Sequence, residues 1–174
     1  MDTPEERHTD QRYDRAFLLS EGKRNQLLEL WEVHRFGADS FGDPEYQALY
    51  GLSPTAWYAR GVRLLARTTV EAVRDPLGER MGRDIARFAR TAPASWRCAV
   101  LDPFAGSCNG LYWIVQQLPG ARGIGYEADP TICALTRRNL GLLGLDRTLE
   151  LHGGDYRALL GTHRFPPEWR NKAP

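Results

Sequence analysis

The chain has 174 residues, of which 42% are hydrophobic and 26% charged, and its 23 basic and 22 acidic side chains give a formal net charge of +1. This size suits one globular domain, or one domain with an appendage, and it needs no disulfide or metal to stabilise its core. The balanced charge argues against polyanion binding over the whole surface. No apolar run reaches the roughly 18 residues of a membrane span, and the charged N-terminus is unlike a signal peptide, so we expect no membrane contact.

The cysteines indicate neither a metal site nor a disulfide framework. Cys98, Cys108 and Cys133 form no CxxC pair, and none of them lies near the four histidines in the sequence. We therefore expect no bound metal and a reducing, cytoplasmic location.

The N-terminal part of the chain is predicted to be helical. Residues 1–16 are polar and of mixed charge, which predicts a flexible tail. Residues 23–35 carry an apolar stripe at helical spacing that Gly37 should end. Asp43-Pro44 is typical of a helix start and predicts a short helix as far as Tyr50.

Two more helices follow in this part. Ser53-Pro54 predicts a helix to about Val73, and Asp75-Pro76-Leu77-Gly78 should break it. A last helix is expected over residues 79–90. Residues 17–95 are therefore interpreted as an all-helical cap.

From Trp96 onward, short apolar runs alternate with helical segments. Strands are predicted over residues 98–102, 122–127 and 148–152, and helices over residues 111–117, 130–143 and 156–160. This β-α-β-α-β-α order predicts an α/β domain with a parallel sheet and right-handed crossovers over residues 96–174.

Each predicted strand ends in a turn that suits a ligand. In an open parallel sheet, ligands bind outside the carboxyl ends of the strands. The first turn, residues 102–110, is rich in small residues, which lets a ligand approach the backbone. The second turn places Glu127 where a carboxylate accepts hydrogen bonds from ribose hydroxyls, and the third pairs Asp155 with the flat ring of Tyr156.

These turns resemble the motifs of the class I S-adenosylmethionine-dependent methyltransferases. LDPFAGS (101–107) is similar to the first motif of that family, GYEADP (125–130) to the acidic turn after its second strand, and GGDYRALL (153–160) to the turn after its third. The resemblance spans about residues 99–160 and implies a Rossmann-like, three-layer α/β/α fold that binds S-adenosylmethionine. It names no catalytic base.

The resemblance also implies a role for each turn. The first turn would lie against the methionine part of the cofactor, Glu127 would hold the ribose hydroxyls, Ala128 would flank the adenine, and Asp155 with Tyr156 would reach its amino edge. The implied cofactor-binding residues are Asp102, Ala105, Gly106, Ser107, Glu127, Ala128, Asp155 and Tyr156. The simpler alternative is that the three acids only cap the helices that follow them.

Two departures from the family pattern stand out. Cys108 occupies a position where the motif usually has glycine, so the loop should adopt a backbone that a Cβ tolerates. Only nineteen residues follow Asp155, whereas the family continues with further strands. Because a bare central strand is an aggregation site, we expect a partner chain or second copy to complete the sheet, or an altered arrangement of the sheet, or a longer parent protein of which this chain is a fragment.

The sequence leaves two alternatives for the acceptor of the methyl group, a small molecule and a nucleic acid. The aromatic residues between Trp31 and Tyr58 favour a small molecule if some of them form a lid, although they also suit a helix core. Nine arginines over residues 60–97 suit a nucleic-acid acceptor if they align, although a solvated helix face explains them as well.

Three other functions are alternatives to methyl transfer. S-adenosylmethionine could itself be the substrate and cyclise with release of methylthioadenosine. The chain could also be a non-catalytic cofactor-binding subunit. A nicotinamide-dependent dehydrogenase is disfavoured, because the first turn lacks the GxGxxG spacing.

Overall fold

The computed structural model describes residues 11–91 and 99–157. The chain forms two compact units, which divide between Ala72 and Val73. The sequence placed this division at residue 95 instead. The difference arises because the last helix before the sheet, over residues 75–89, packs against the first helix of the α/β part, over residues 109–116.

Over residues 11–72, the first unit contains four helices. They are α1 (Arg15–Leu18), α2 (Leu30–Phe41), α3 (Pro54–Ala59) and α4 (Ala66–Glu71). The expected tail overlaps this unit, since Tyr13 is buried and the side chain of Asp14 accepts a hydrogen bond from the Phe17 amide at the start of α1. Residues 1–10 lie outside the described part of the chain. The core of the unit is built from Leu18, Leu28, Val33, Leu49, Trp57, Val62 and Leu64.

Helix α2 differs from its prediction at both ends. Residues 23–29 are not helical, because the Leu28 amide bonds to the Leu64 carbonyl oxygen (3.0 Å) in an extended pairing. The helix instead begins after Glu29, which forms a reciprocal capping box with Glu32. It runs through Gly37 and ends at Gly42, whose φ of +72° provides the left-handed cap.

The prediction of a helix over residues 44–50 is wrong. The side chain of Asp43 accepts a hydrogen bond from the Glu45 amide (2.9 Å), but the chain continues as turns and irregular structure. This segment packs back on α2, and a Cβ added to Gly37 would lie 2.3 Å from the Asp43 carbonyl oxygen. The close packing holds the segment in a conformation that its local sequence does not specify.

Ser53 caps a helix as expected, with its hydroxyl accepting a hydrogen bond from the Ala56 amide (3.4 Å). The predicted continuous helix to Val73 is instead two short ones. Helix α3 ends at Ala59, and Gly61, at a φ of +84°, reverses the chain before α4.

A buried polar network links the start of the chain to α2. The Glu32 carboxylate pairs with the Lys23 ammonium at 2.5 Å and accepts the Tyr13 hydroxyl at 3.4 Å. Burial first, and the Glu32 charge second, raise the pKa of Tyr13 to about 12. The folded state therefore favours the neutral phenol.

This network predicts an alkaline loss of stability. Because the folded pKa of Tyr13 lies above the ordinary value of 10, its contribution is complete below pH 10 and is lost as the pH rises to about 12. Two pKa units correspond to at most about 3 kcal/mol. Urea unfolding of the wild type and of Tyr13→Phe at several pH values gives the free energy of unfolding as a function of pH for each protein. The effect is the difference between the slopes of these two plots above pH 10. Identical slopes would contradict it.

In the second unit, the expected helix breaker begins a helix. Helix α5 (Asp75–Ala89) carries Pro76 in its first turn, where a missing amide costs nothing. The Asp75 carboxylate accepts hydrogen bonds from the Asn109 side-chain amide (2.9 Å) and the Trp113 indole (2.7 Å). The buried Asp75 side chain therefore connects α5 to the next helix through these two hydrogen bonds.

The β-α-β-α-β order and the parallel sheet are confirmed over the described residues. The elements are β1 (Ala99–Asp102), α6 (Asn109–Gln116), β2 (Arg122–Glu127), α7 (Pro130–Leu142) and β3 (Leu149–Gly153), with strand order β1-β2-β3. The predicted bounds of β2 are reproduced, and those of α6, α7 and β3 differ by one or two residues. Residue 98 of the first predicted strand and residues 158–160 of the last predicted helix lie outside the described part of the chain.

Both crossover helices lie on the same face of the sheet. A Cβ on Gly123 would meet Leu111 of α6, and a Cβ on Gly153 would meet Cys133 of α7. Gly123 and Gly153 belong to one face, because Gly123 is paired with Leu149 and side chains alternate along each strand. The third layer of the expected α/β/α arrangement is not defined by the described residues.

Candidate functional site

The carboxyl ends of the three strands meet at one edge of the sheet. Asp102 is in register with Gly125, and Glu127 with Gly153, so the turns after β1, β2 and β3 are neighbours. They enclose a cavity of about 350 Å³, which lies in the range of small-molecule sites. Its lining is Pro103, Phe104, Tyr126, Glu127, Ala128, Gly154, Asp155, Tyr156 and Arg157.

The turn after β1 is organised by its own hydrogen bonds. The Asp102 carboxylate accepts from the Phe104 amide (2.9 Å), which turns the chain sharply as the strand ends. The Ala105 amide donates to the Tyr126 carbonyl oxygen (2.9 Å) and ties the turn to β2. Ala105 and Ser107 are buried, whereas Phe104 is 76% exposed.

The loop at Cys108 was expected to adopt a backbone conformation that a Cβ tolerates easily, and the structure differs from this expectation. The Cys108 φ of +61° lies in the left-handed region, which costs a residue with a Cβ about 1–2 kcal/mol. The thiol is fully buried, and its Sγ lies near the position of a Cβ on Gly125. Burial, followed by the Asp102 charge, raises the pKa of Cys108 and keeps it protonated. The side chain therefore serves packing rather than nucleophilic attack.

Glu127 connects the first two turns. Its Oε2 accepts a hydrogen bond from the Gly106 amide (3.1 Å), and its Oε1 accepts from the Asp129 amide (2.8 Å). A carboxylate has about four acceptor positions, so two remain for a ligand in the cavity. The neighbouring Ala128 is exposed and small, which leaves room beside the carboxylate for a flat group.

The third turn presents a carboxylate, a cation and an aromatic ring. The Arg157 guanidinium donates from Nε to both Asp155 oxygens (3.0 and 2.9 Å), and these hydrogen bonds hold the pKa of Asp155 below its usual value. The Tyr156 ring meets the Phe104 ring edge to face, with centroids 5.3 Å apart. The aromatic pair thus bridges the first and third turns at the cavity.

The structure brings four of the eight sequence-predicted residues together around the cavity. Glu127, Ala128, Asp155 and Tyr156 line it, whereas the first turn contributes Pro103 and Phe104 instead of the residues expected there. The residues expected there, Asp102, Ala105, Gly106 and Ser107, are not part of the lining. The first three make hydrogen bonds that fix the turn, and the Ser107 hydroxyl accepts a hydrogen bond from the Asn109 amide (3.4 Å).

Sequence reasoning missed Phe104 and Arg157. Phe104 lies within the motif LDPFAGS, and an aromatic residue in a turn of small residues was an available signal. Arg157 lies two residues after Asp155, a spacing at which a short turn brings opposite charges together.

Neither of the two histidines within the described residues is part of the cavity lining. His34 pairs with Glu45 (3.0 Å) and contacts the Thr55 hydroxyl. His152 stacks on Tyr126 and pairs with Glu150 (3.0 Å). Over residues 11–91 and 99–157, no cluster of three or more His, Cys, Asp or Glu side chains could hold a metal, and no helix is long and apolar enough to cross a membrane.

No protein-family model and no curated protein matches the sequence. Among solved structures, the chain is similar to a putative O-methyltransferase from Klebsiella pneumoniae, with 20% identity and a TM-score of 0.44 over 64% of this chain and 45% of the other. It is also similar to the O-methyltransferase TomG from Streptomyces achromogenes, involved in tomaymycin synthesis and solved with SAM, with 20% identity and a TM-score of 0.41 over 55% and 40% of the two chains. The chain therefore spans less than half the length of either protein.

Proposed function

We propose that the second unit binds S-adenosylmethionine at the strand-end cavity and that the protein transfers its methyl group to a small-molecule acceptor. One observation carries the proposal: three successive strand-end turns of a parallel sheet enclose one cavity, with the Glu127 carboxylate at their junction. This is the place where open α/β sheets bind nucleosides.

The residues present fit such a ligand. Glu127 keeps acceptor positions for two ribose hydroxyls after its backbone bonds are counted. Ala128 leaves space for the adenine ring, and the Tyr156 ring offers an aromatic wall. Asp155 is held in one orientation by Arg157 and can accept a hydrogen bond from the adenine amino group. The turn of Asp102, Ala105, Gly106 and Ser107 would lie against the methionine part.

For methyl transfer, the protein mainly has to position the cofactor and the acceptor relative to each other. The bound cofactor supplies a sulfonium, which is already an activated methyl donor. The residues of the cavity fix the nucleoside, and alignment of the acceptor with the methyl carbon supplies the rate advantage of proximity. A general base is required only for an acceptor that is protonated at the working pH.

The arginines of α5 favour a small-molecule acceptor over a nucleic acid. Arg83 approaches Glu79 on the same helix (3.8 Å), and Arg87 approaches Asp84 (3.5 Å). These are exposed intrahelical pairs, which are typical of a solvated helix face. They reduce the positive potential that phosphate binding would need.

The sheet supports a proposal about partners as well. Among the described strands, β1 pairs with β2 alone, and Leu101 on β1 is 37% exposed. We retain the proposal that a second copy or a partner chain covers this strand.

Calorimetry of the full chain with S-adenosylmethionine, S-adenosylhomocysteine and NAD in parallel tests the cofactor. We expect the two sulfur nucleosides to bind and NAD not to bind; binding of NAD alone would overturn the proposal. Product analysis then separates the reactions. S-adenosylhomocysteine indicates methyl transfer, methylthioadenosine indicates cyclisation, and turnover only after a second protein is added indicates a cofactor-binding subunit.

A further inference from the structure

The first unit contains a second cavity, remote in sequence from the strand-end turns. It has a volume of about 570 Å³, within the range of small-molecule sites, and is bounded by residues of α1, α2 and α4. Apolar groups line most of it, including Leu19, Phe36 and Val70. Two arginines, Arg12 and Arg15, also line it. Aliphatic and aromatic walls beside cationic groups suit an amphipathic anion.

The aromatic ring of Phe41 forms one wall of this cavity and packs against two other aromatic rings. The Phe41 ring stacks on Tyr46, with centroids 3.5 Å apart and planes at 5°, and it meets Phe36 edge to face at 5.6 Å. Phe41 nevertheless remains 49% exposed and lines the cavity. A ring already held by its neighbours loses little conformational entropy when a ligand stacks on it.

The charges at the cavity favour an anion. Within the described residues, the Arg15 side chain makes no ion pair, whereas Arg12 donates to the Asp39 carbonyl oxygen (3.1 Å) and its charge helps to lower the pKa of the Asp39 carboxyl. Asp14 uses its carboxylate to cap α1 through the Phe17 amide (3.0 Å). The lining therefore has two guanidinium groups and one carboxylate, a net charge of +1. Guanidinium groups bind carboxylates through paired hydrogen bonds.

We propose that this cavity binds a small aromatic carboxylate, with its ring against Phe41 and its carboxylate at Arg15. A neutral aromatic compound would leave the guanidinium unpaired, and an aliphatic acid would make less use of the Phe41 ring. The proposal does not depend on the identity of the nucleoside in the second unit.

Calorimetry of the full chain with 2-naphthoate tests this site. We expect saturable binding that Arg15→Gln weakens about ten- to a hundredfold, because a charge-assisted hydrogen bond is replaced by a neutral one. Arg60→Gln, which removes an exposed arginine of the same unit outside the cavity, should leave the affinity unchanged. 2-Naphthalenemethanol, which has the same ring and no charge, should bind weakly and be insensitive to Arg15→Gln.

A second variant separates the cavity from general electrostatics. Val70→Phe fills the cavity while keeping both arginines and should abolish binding, with an unchanged circular dichroism spectrum as the check of folding. Absence of saturable 2-naphthoate binding at millimolar concentrations would overturn the proposal. Equal affinity in the wild type, Arg15→Gln and Val70→Phe would also overturn it, since the ligand would then bind elsewhere.

Discussion

Glu127→Gln is expected to lower the affinity for S-adenosylmethionine by about a hundredfold or more. The carboxylate accepts the Gly106 and Asp129 amides and, in our proposal, the ribose hydroxyls as well. A hydrogen bond to a charged group contributes about 1.5–3 kcal/mol, and two such bonds are weakened together. The glutamine amide also brings an N–H group to a position that faces a backbone donor. The turn after β1 is therefore loosened at the same time.

Calorimetry at one ionic strength measures this effect. Glu150→Gln is the matched control, because it removes the same charge from an exposed position on β3 outside the cavity lining. We expect the control to bind like the wild type. An unchanged affinity in Glu127→Gln would remove this residue from the nucleoside site. A loss of equal size in both variants would point to a general charge effect.

The aspartate-proline pairs show which parts of the fold could be predicted from sequence. The sequence predicts a helix start at Asp43-Pro44 and a helix end at Asp75-Pro76, and the structure shows the opposite in both places. The local chemistry of the two pairs is the same. What differs is tertiary packing, because residues 43–44 lie against Gly37 of α2, whereas the helix after Asp75 packs on α6. No local pattern contains that information.

The strands were easier to predict than the helices of the first unit. β2 is a short run of buried residues that ends in an acid, and both its bounds and its parallel pairing follow from that pattern. The first turn of α7 was also visible in the sequence, since Asp129 precedes Pro130 and caps the helix through the Thr131 amide (2.9 Å). Such elements depend on a few neighbouring residues.

The candidate site was predictable in position but not in detail. Sequence order alone places the turns at Asp102, Glu127 and Asp155 at one edge of a parallel sheet. It does not show that the Asp102 carboxylate is bonded within its own turn, or that the Phe104 ring meets a ring from the third turn. Contacts between side chains of different turns depend on rotamers, which the sequence pattern does not encode.

The second unit depends on a close approach of α5 and α6, and Gly82→Ala should destabilise it by about 2–3 kcal/mol. A Cβ on Gly82 would lie 2.4 Å from the Trp113 carbonyl oxygen and 2.8 Å from its carbonyl carbon. A backbone atom cannot rotate away as a side chain can, so the two helices would have to separate. Separation would also stretch the hydrogen bond from the Trp113 indole to Asp75, which is 2.7 Å long.

Gly141→Ala is the matched control for this prediction, because it makes the same substitution near the end of α7. No atom lies within 4 Å of the added Cβ, so only the intrinsic preference of the helix for alanine acts. That preference should stabilise the control by up to about 1 kcal/mol. The two variants should therefore shift urea unfolding of the wild type in opposite directions, which a general effect of losing a glycine cannot produce. Equal stabilisation by both would mean that α5 and α6 are not in close contact in solution.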